Sequence, residues 1–139
     1  MRIIAIDFGT KRIGLAVTDN NQKLSSPLTT ILAGKNMEKT IEAILKEVAA
    51  YLPESAKIIV GMPYLKDGSK GPMAKLVDKF ISRLRPKVTI PVEEFDERLS
   101  SYAAQSLLKE ACLSSKKKDN KLDAAAATVI LQDYLGAQC

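Results

Sequence analysis

Two spacings of hydrophobic residues alternate along the chain. Short apolar runs, often β-branched, predict strands, and segments with apolar residues at three- and four-residue steps predict helices. Three strand-like runs come first, so close together that antiparallel hairpins are the economical connection, and helices then alternate with strands. The predicted strands are residues 2–7, 13–18, 28–32, 57–62 and 88–95, and the predicted helices are residues 37–52, 72–84, a segment capped by Ser100 or Ser101, and about 121–135.

Proline and glycine separate these predicted elements. Pro53 closes the first helix, Pro72 suits the first turn of the second, and Pro86 lies just past the end of that helix. The last helix is expected to end before Gly136. The polar run at residues 114–120 is predicted to be a mobile loop.

The resulting order, β-β-β-α-β-α-β-α-α, predicts an α/β fold. Hairpin-linked strands followed by alternating helices imply a five-stranded mixed sheet with helices on both faces. Right-handed crossovers would place the strands at residues 57–62 and 88–95 parallel to the first strand and on its far side. This topology is that of the ribonuclease H-like fold. The length of 139 residues predicts a single domain spanning residues 1–139.

Composition narrows the possible chemistry. The chain has no histidine, which excludes Ser-His-Asp and Cys-His catalysis and His-ligated zinc. Its two cysteines lack the spacing of a zinc site or a disulfide framework. No leader or membrane-spanning run is present, so we expect a cytoplasmic protein with no membrane partner. The net charge of +5 favours a polyanionic partner such as nucleic acid. We expect the chain to act as a monomer or a homodimer.

Acidic residues stand where the predicted fold would hold a ligand. Asp7 ends the first strand, and Asp96 and Glu97 end the fifth, at the edge where α/β sheets bind ligands. Asp123 lies in an alanine-rich helical stretch that could pack closely on the sheet, and it begins a helical stripe that continues through Ala127, Ile130 and Tyr134. All four are candidate catalytic residues. Because strand alternation lets only one of the adjacent acids face Asp7, we assign Glu97 to the metal and Asp96 to a structural partner, Arg98 or a backbone amide.

Without histidine, these carboxylates suit a hard cation, Mg²⁺ or Mn²⁺, held by Asp7, Glu97 and Asp123. Such ions bind carboxylate and phosphate oxygens together, and a pair of them can drive phosphodiester hydrolysis. Each acid also has a simpler explanation. Asp7 could begin a tight turn, the acids at the end of the fifth strand could be solvated charges, and Asp123 could cap the last helix.

Basic and glycine-rich loops could bind a nucleic-acid substrate. One follows Asp7, where Gly9 would let the backbone approach a phosphate closely. A second precedes the helix N-terminus at Pro72, where anions bind well, and a third is the three-lysine run. The second is not a Walker A loop, and a three-lysine run is more often merely solvated. The candidate substrate-binding residues are Gly9, Thr10, Lys11, Arg12, Lys66, Ser69, Lys70, Arg98, Lys116, Lys117 and Lys118.

Four stretches of the chain, in this order, resemble the YqgF family, also called RuvX, of bacterial Holliday-junction-resolvase-like or pre-16S ribosomal RNA nucleases. The matching stretches are residues 7–17, Val60-Gly-Met-Pro with Asp67-Gly-Ser, Asp96-Glu-Arg-Leu-Ser-Ser, and Leu122-Asp-Ala-Ala-Ala-Ala with Ile130-Leu-Gln-Asp-Tyr-Leu. The resemblance implies the ribonuclease H-like fold, dependence on Mg²⁺ or Mn²⁺, and maturation of the 5′ end of precursor 16S rRNA. It carries the acidic site onto Asp7, the Asp96-Glu97 pair and Asp123.

Several other functions remain open from the sequence. The chain could be a Holliday junction resolvase acting on branched DNA, or a non-catalytic RNA-binding ribosome-assembly factor. Three carboxylates facing a phosphate would repel it unless a metal intervened, which argues against a factor that only binds. A sugar-kinase or actin-like ATPase also begins with an Asp-x-Gly-Thr hairpin, but those enzymes close two lobes on ATP, and 139 residues leave no room for a second lobe.

Overall fold

The computed structural model describes residues 1–97 and 119–137, with side chains over residues 1–97 and 126–136. The predicted helix after Ser100 or Ser101, Arg98, the three-lysine run and the side chain of Asp123 lie outside these descriptions.

A five-stranded sheet forms the centre of the molecule. Its strands are β1 (Arg2–Phe8), β2 (Arg12–Thr18), β3 (Ser25–Leu32), β4 (Ser55–Met62) and β5 (Val92–Asp96). Their spatial order is β3-β2-β1-β4-β5. The first three strands pair antiparallel, whereas β4 pairs parallel with both β1 and β5, which confirms the predicted mixed sheet and the position of β4 and β5 on the far side of β1.

Helices cover both faces of this sheet. One face packs against α1 (Met37–Val48) and α2 (Pro72–Leu84), and the other against α3 (Asp119–Ala137). On the α3 face, small and β-branched side chains let the helix approach closely. The buried residues there are Ile3, Ala5, Ala16, Ile59, Phe95, Ala127, Ile130 and Leu131. Within the described residues, no helix is both long and apolar enough to span a bilayer.

Several strands in the first 97 residues extend one to three residues beyond their predicted ends, and two elements are shorter than predicted because of a proline. The fifth strand begins at Val92 rather than at residue 88, because residues 85–87 form a 3₁₀ turn and Pro91 has no N–H to donate to a ladder. The first helix ends at Val48, before Leu52, and the chain makes a separate 3₁₀ turn around Pro53. In both places a proline sets the local backbone more strongly than the hydrophobic spacing does.

The last helix is longer than predicted at both ends. It begins at Asp119, so two residues assigned to the mobile loop are helical, and it continues through Gly136 to Ala137. A glycine at the last turn costs a helix only about 1 kcal/mol, and a side chain at Gly136 would meet no atom within 4 Å. Asp123 is therefore the fifth helical residue, beyond the four whose N–H groups need a cap.

Candidate active site

The carboxyl ends of the three parallel strands meet at one edge of the sheet, which we call the carboxyl edge. Ile6 of β1 pairs with Val60 of β4, so the next residues, Asp7 and Gly61, lie side by side. Asp7 follows Ile3 and Ala5 in the strand alternation and so belongs to the α3 face.

Glu97 directly follows β5, and its side chain returns over β4. A Cβ built on Gly61 would overlap Oε1 of Glu97 and lie 3.1 Å from its Cδ. The carboxylate therefore occupies the space that a side chain at position 61 would fill. Because Asp7 is the neighbour of Gly61 on β1, this position brings two carboxylates together on the α3 face.

The electrostatics of Glu97 reflect this location. Its half-buried carboxyl loses solvation, and the carboxylates of Asp7 and Asp96 repel its negative charge, which together raise the pKa of Glu97 to about 7. Burial is the largest of these causes. A carboxyl group that is only partly ionised at neutral pH, beside a second carboxylate, is typical of functional sites.

Asp96 lies on the opposite face from Glu97. It pairs with Met62, whose side chain packs in the core beneath α1 and α2, and it follows Phe95, which packs beneath α3. Near it the hydroxyl of Tyr64 donates a short hydrogen bond to Glu94, and this carboxylate, with a smaller contribution from Asp96, raises the pKa of Tyr64.

Helix α3 is oriented by contacts at two points along β4. The end of Ile130 lies 2.7 Å from where a Cβ of Gly61 would stand, and Lys57 Nζ donates to the Tyr134 hydroxyl at 2.7 Å. Lys57 also forms a 2.8 Å ion pair with Glu93, which is the first cause of its raised pKa. Because Gly61 is nearer the carboxyl edge than Lys57 is, the helix runs away from that edge.

This direction places the first turns of α3 toward the carboxyl edge, with the backbone of Asp123 among them. The stripe predicted from Asp123 through Ala127, Ile130 and Tyr134 does face the sheet over its described part, since Ala127 and Ile130 are buried and Tyr134 packs against Phe95. The position of Asp123 as the fifth helical residue makes the capping alternative wrong.

The loop between β1 and β2 contains four of the residues predicted to bind substrate. Gly9 makes a close approach within this loop, because a Cβ there would stand 2.5 Å from the carbonyl oxygen of Arg12. The turn itself therefore requires glycine. Thr10, Lys11 and Arg12 are exposed, and the Lys11 carbonyl accepts a hydrogen bond from Ala33, which fixes the loop against the end of β3.

The loop of residues 63–71 is also ordered by internal hydrogen bonds. Asp67 Oδ1 accepts from both the N–H and the hydroxyl of Ser69, and Gly68 adopts a positive φ of 87°. Lys70 forms a 2.6 Å ion pair with Asp78 on α2. Two of the three residues predicted to bind substrate here therefore already have protein partners, whereas Lys66 is exposed at the loop.

The donor set of the α3 face suits a hard cation. Asp7 and Glu97 supply carboxylate oxygens, and a cation between them would offset the repulsion that raises the pKa of Glu97. Over the side chains of residues 1–97 and 126–136, no three carboxylates, cysteines or histidines form one group. A third acidic ligand would have to come from elsewhere in the chain, and Asp123 is the predicted one.

The sequence interpretation assigned no role to Gly61. A glycine inside a buried strand indicates a close approach by another group, and that pattern could have singled it out. The group that approaches could not be predicted, because it depends on the register between β4 and β5.

Comparisons with known proteins agree with this fold. A family model described as "RuvX: Holliday junction resolvase" matches residues 1–137. A protein of Chloroflexus aurantiacus named "Putative pre-16S rRNA nuclease" is 39% identical over 136 residues, which cover 98% of this chain and 87% of the relative. A protein of the same name from Natranaerobius thermophilus is 41% identical over 138 residues, covering 99% of this chain and 96% of the relative.

Among solved structures, T. thermophilus RuvC in complex with a Holliday junction substrate superposes with a TM-score of 0.63 at 14% identity, over 99% of this chain and 95% of that one. This likeness shows the fold, and it confirms the predicted ribonuclease H-like topology. The resemblance inferred from the four sequence stretches is confirmed by the family match over nearly the whole chain. The chain therefore belongs to the RuvX family, and it is a nuclease that hydrolyses phosphodiester bonds.

Proposed function

We propose that this chain matures the 5′ end of precursor 16S rRNA in the cytoplasm, using Mg²⁺ or Mn²⁺ held by Asp7, Glu97 and Asp123. The observation that carries the proposal is the half-buried carboxylate of Glu97, which lies over Gly61 beside Asp7. The substrate assignment is supported by the names of relatives that are 39% and 41% identical to nearly the whole chain.

The strands and helix α3 hold the ligand atoms in place. Asp7 extends from β1, whose residues 3–6 are fully buried. The Glu97 carboxylate occupies the space over Gly61. Rigid elements of this kind hold a metal-binding carboxylate more accurately than loops do. A divalent cation held there would supply an activated water and would neutralise charge on the phosphodiester.

Exposed cationic and hydroxyl side chains near the carboxyl edge would bind the phosphate backbone. Thr10, Lys11 and Arg12 extend from the hairpin loop that follows Asp7, and Lys66 lies on the loop that follows β4. Each phosphate contact of this kind gives salt-dependent affinity without reading sequence. We further propose Arg98 and the three lysines at residues 116–118 as contacts of the same class.

A panel of substrates tests the proposed reaction. The purified chain with Mn²⁺ is incubated with precursor 16S rRNA carrying its 5′ extension, an unrelated single-stranded RNA of equal length, and a four-way DNA junction. We expect accurate cutting of the precursor, abolished by EDTA. Faster cutting of the junction would favour the resolvase suggested by the family description, and metal-independent binding without cutting would favour an assembly factor.

The role of Asp123 can be measured without substrate. Because a ligand that binds only the folded state stabilises it, Mn²⁺ should raise the melting temperature of the wild-type chain. We expect Asp123→Asn to remove most of that gain while leaving the metal-free melting temperature unchanged or slightly higher. The charge-matched control is Glu47→Gln, at an exposed position on α1 across the sheet, which should keep the full Mn²⁺ gain. A full Mn²⁺ gain in Asp123→Asn would remove this residue from the ligand set.

A further inference from the structure

Gly61 is a glycine for reasons of space rather than of backbone conformation. It lies inside β4, in register with Phe95 of β5. Among the described residues the glycine with a positive φ is Gly68, so the backbone at Gly61 is one that any residue can adopt. A glycine inside a strand weakens it, because the unfolded chain has more freedom to lose and no side chain packs in the folded state.

Two groups from distant parts of the chain share the space over Gly61. One is the carboxylate of Glu97, and the other is Cδ1 of Ile130 on α3, which lies 2.7 Å from the position of a Cβ. Ile130 is 4% exposed, so its apolar end helps to exclude water from the carboxylate beside it. The next residues toward the start of β4 on this face, Ile59 and Lys57, carry full side chains, so the gap is confined to the carboxyl edge.

We propose that Gly61 is a positioning residue, whose missing side chain leaves the space in which Glu97 is held beside Asp7. An alanine at position 61 would displace the carboxylate away from β1, because β4 is held by its pairing with β1 on one side and β5 on the other. The consequence for metal binding rests on the function proposed above. The positioning of Glu97 beside Asp7 does not rest on that function, because it concerns two carboxylates of the metal-free chain.

The experiment separates the displacement of Glu97 from the disturbance of helix packing. Gly61→Ala alone would also clash with Ile130, so it is combined with Ile130→Val, which removes Cδ1 and leaves the clash with Glu97. Gly136→Ala serves as the matched glycine control, because its new methyl group meets open space. We expect the double variant to melt within a few degrees of Ile130→Val, and Gly136→Ala to melt at or above the wild-type temperature.

The first measurement needs no metal. Asp7→Asn, Glu97→Gln and their combination are melted at pH 8 in EDTA, in the wild-type and in the Gly61→Ala/Ile130→Val backgrounds. In the wild type, either change relieves the same repulsion, so the combined gain in melting temperature should be smaller than the sum of the single gains. In the alanine background the gains should become additive, because the carboxylates are no longer neighbours. Unchanged non-additivity there would overturn the proposal.

The second measurement is Mn²⁺ affinity without nucleic acid, followed by the electron paramagnetic resonance of the free ion. We expect Gly61→Ala/Ile130→Val to bind Mn²⁺ at least tenfold more weakly, with Ile130→Val and Gly136→Ala close to wild type. Adding Glu97→Asp, which shortens the side chain, should restore part of the affinity only when alanine is present. Wild-type affinity in the double variant would show that Gly61 serves helix packing alone. No saturable binding by the wild type would instead reject the proposed metal site, and the metal-free cycle would still decide the positioning.

Discussion

Replacing Asp7 by asparagine should reduce the cleavage rate by about a hundredfold or more, the loss typical when a charge-stabilising group is removed from a catalytic site. The change preserves the size of the side chain and removes the charge that, with Glu97, is proposed to hold the cation. The fold should persist, because Asp7 stands at the end of a strand whose buried residues are untouched. Single-turnover cleavage of precursor rRNA with saturating Mn²⁺ measures the loss, and thermal melting checks the fold.

Net charge needs its own control in this experiment, because any lost carboxylate strengthens binding to a polyanion. Glu47→Gln changes the charge equally at an exposed position on α1, across the sheet from Asp7, and should cleave at the wild-type rate. If Asp7→Asn cut precursor rRNA as fast as Glu47→Gln does, Asp7 would have no catalytic role, and the proposed site would lose its central residue.

The second large effect concerns the stability of the metal-free chain and its dependence on pH. Glu97 has a pKa of about 7 when folded, against the ordinary value of 4.5. Below pH 4.5 the Glu97 carboxyl is protonated in both the folded and the unfolded state, so it does not affect the free energy of unfolding. Between pH 4.5 and pH 7 the unfolded state ionises first, so the free energy of unfolding falls as pH rises, and it levels off above pH 7. The full difference corresponds to about 3 kcal/mol, an upper value for a half-buried group.

Glu97→Gln should therefore be more stable than the wild type at pH 8 in EDTA, by up to about 3 kcal/mol, and equally stable at pH 4. Urea unfolding across this pH range measures the effect, with Glu42→Gln on the exposed face of α1 as the control that shows no such crossover. With Mn²⁺ at pH 8 the order should reverse, because only the wild type gains binding energy. Parallel pH profiles for wild type and variant would mean that the Glu97 carboxyl is solvated when folded.

The order of elements could be predicted from the sequence because the apolar residues of a buried helix or strand face recur at the spacing of that element. The apolar runs of β1 and β4, and the helical spacing of α2, are long enough to identify each element. The start of β5 could not be placed this way, since Val88 and Ile90 continue the apolar pattern while the prolines on either side interrupt the ladder. Hydrophobic residues indicate which segments are buried, whereas the backbone N–H groups available for pairing determine where a strand begins.

The site was only partly predictable for a related reason. Strand alternation separates Asp96 from Glu97, so their placement on opposite faces follows from the sequence once β5 is recognised. The location of the Glu97 carboxylate over Gly61 does not, because it depends on a tertiary register and on the helix above it. The need for glycine at position 9 is a further example, since it arises from the Arg12 carbonyl oxygen on the other side of the turn.

Helix α3 also has a consequence for how the molecule is made. It supplies the cover for Ile3, Ala5 and Ile59, which precede it by 60 to more than 110 positions along the chain. During synthesis the first strand is therefore complete long before the helix that buries its second face exists. A nascent chain ending before residue 119 would expose this apolar surface, and contacts so distant in sequence form slowly. Ribosomes paused before α3 should thus carry a chain that binds chaperones and cannot yet cut RNA.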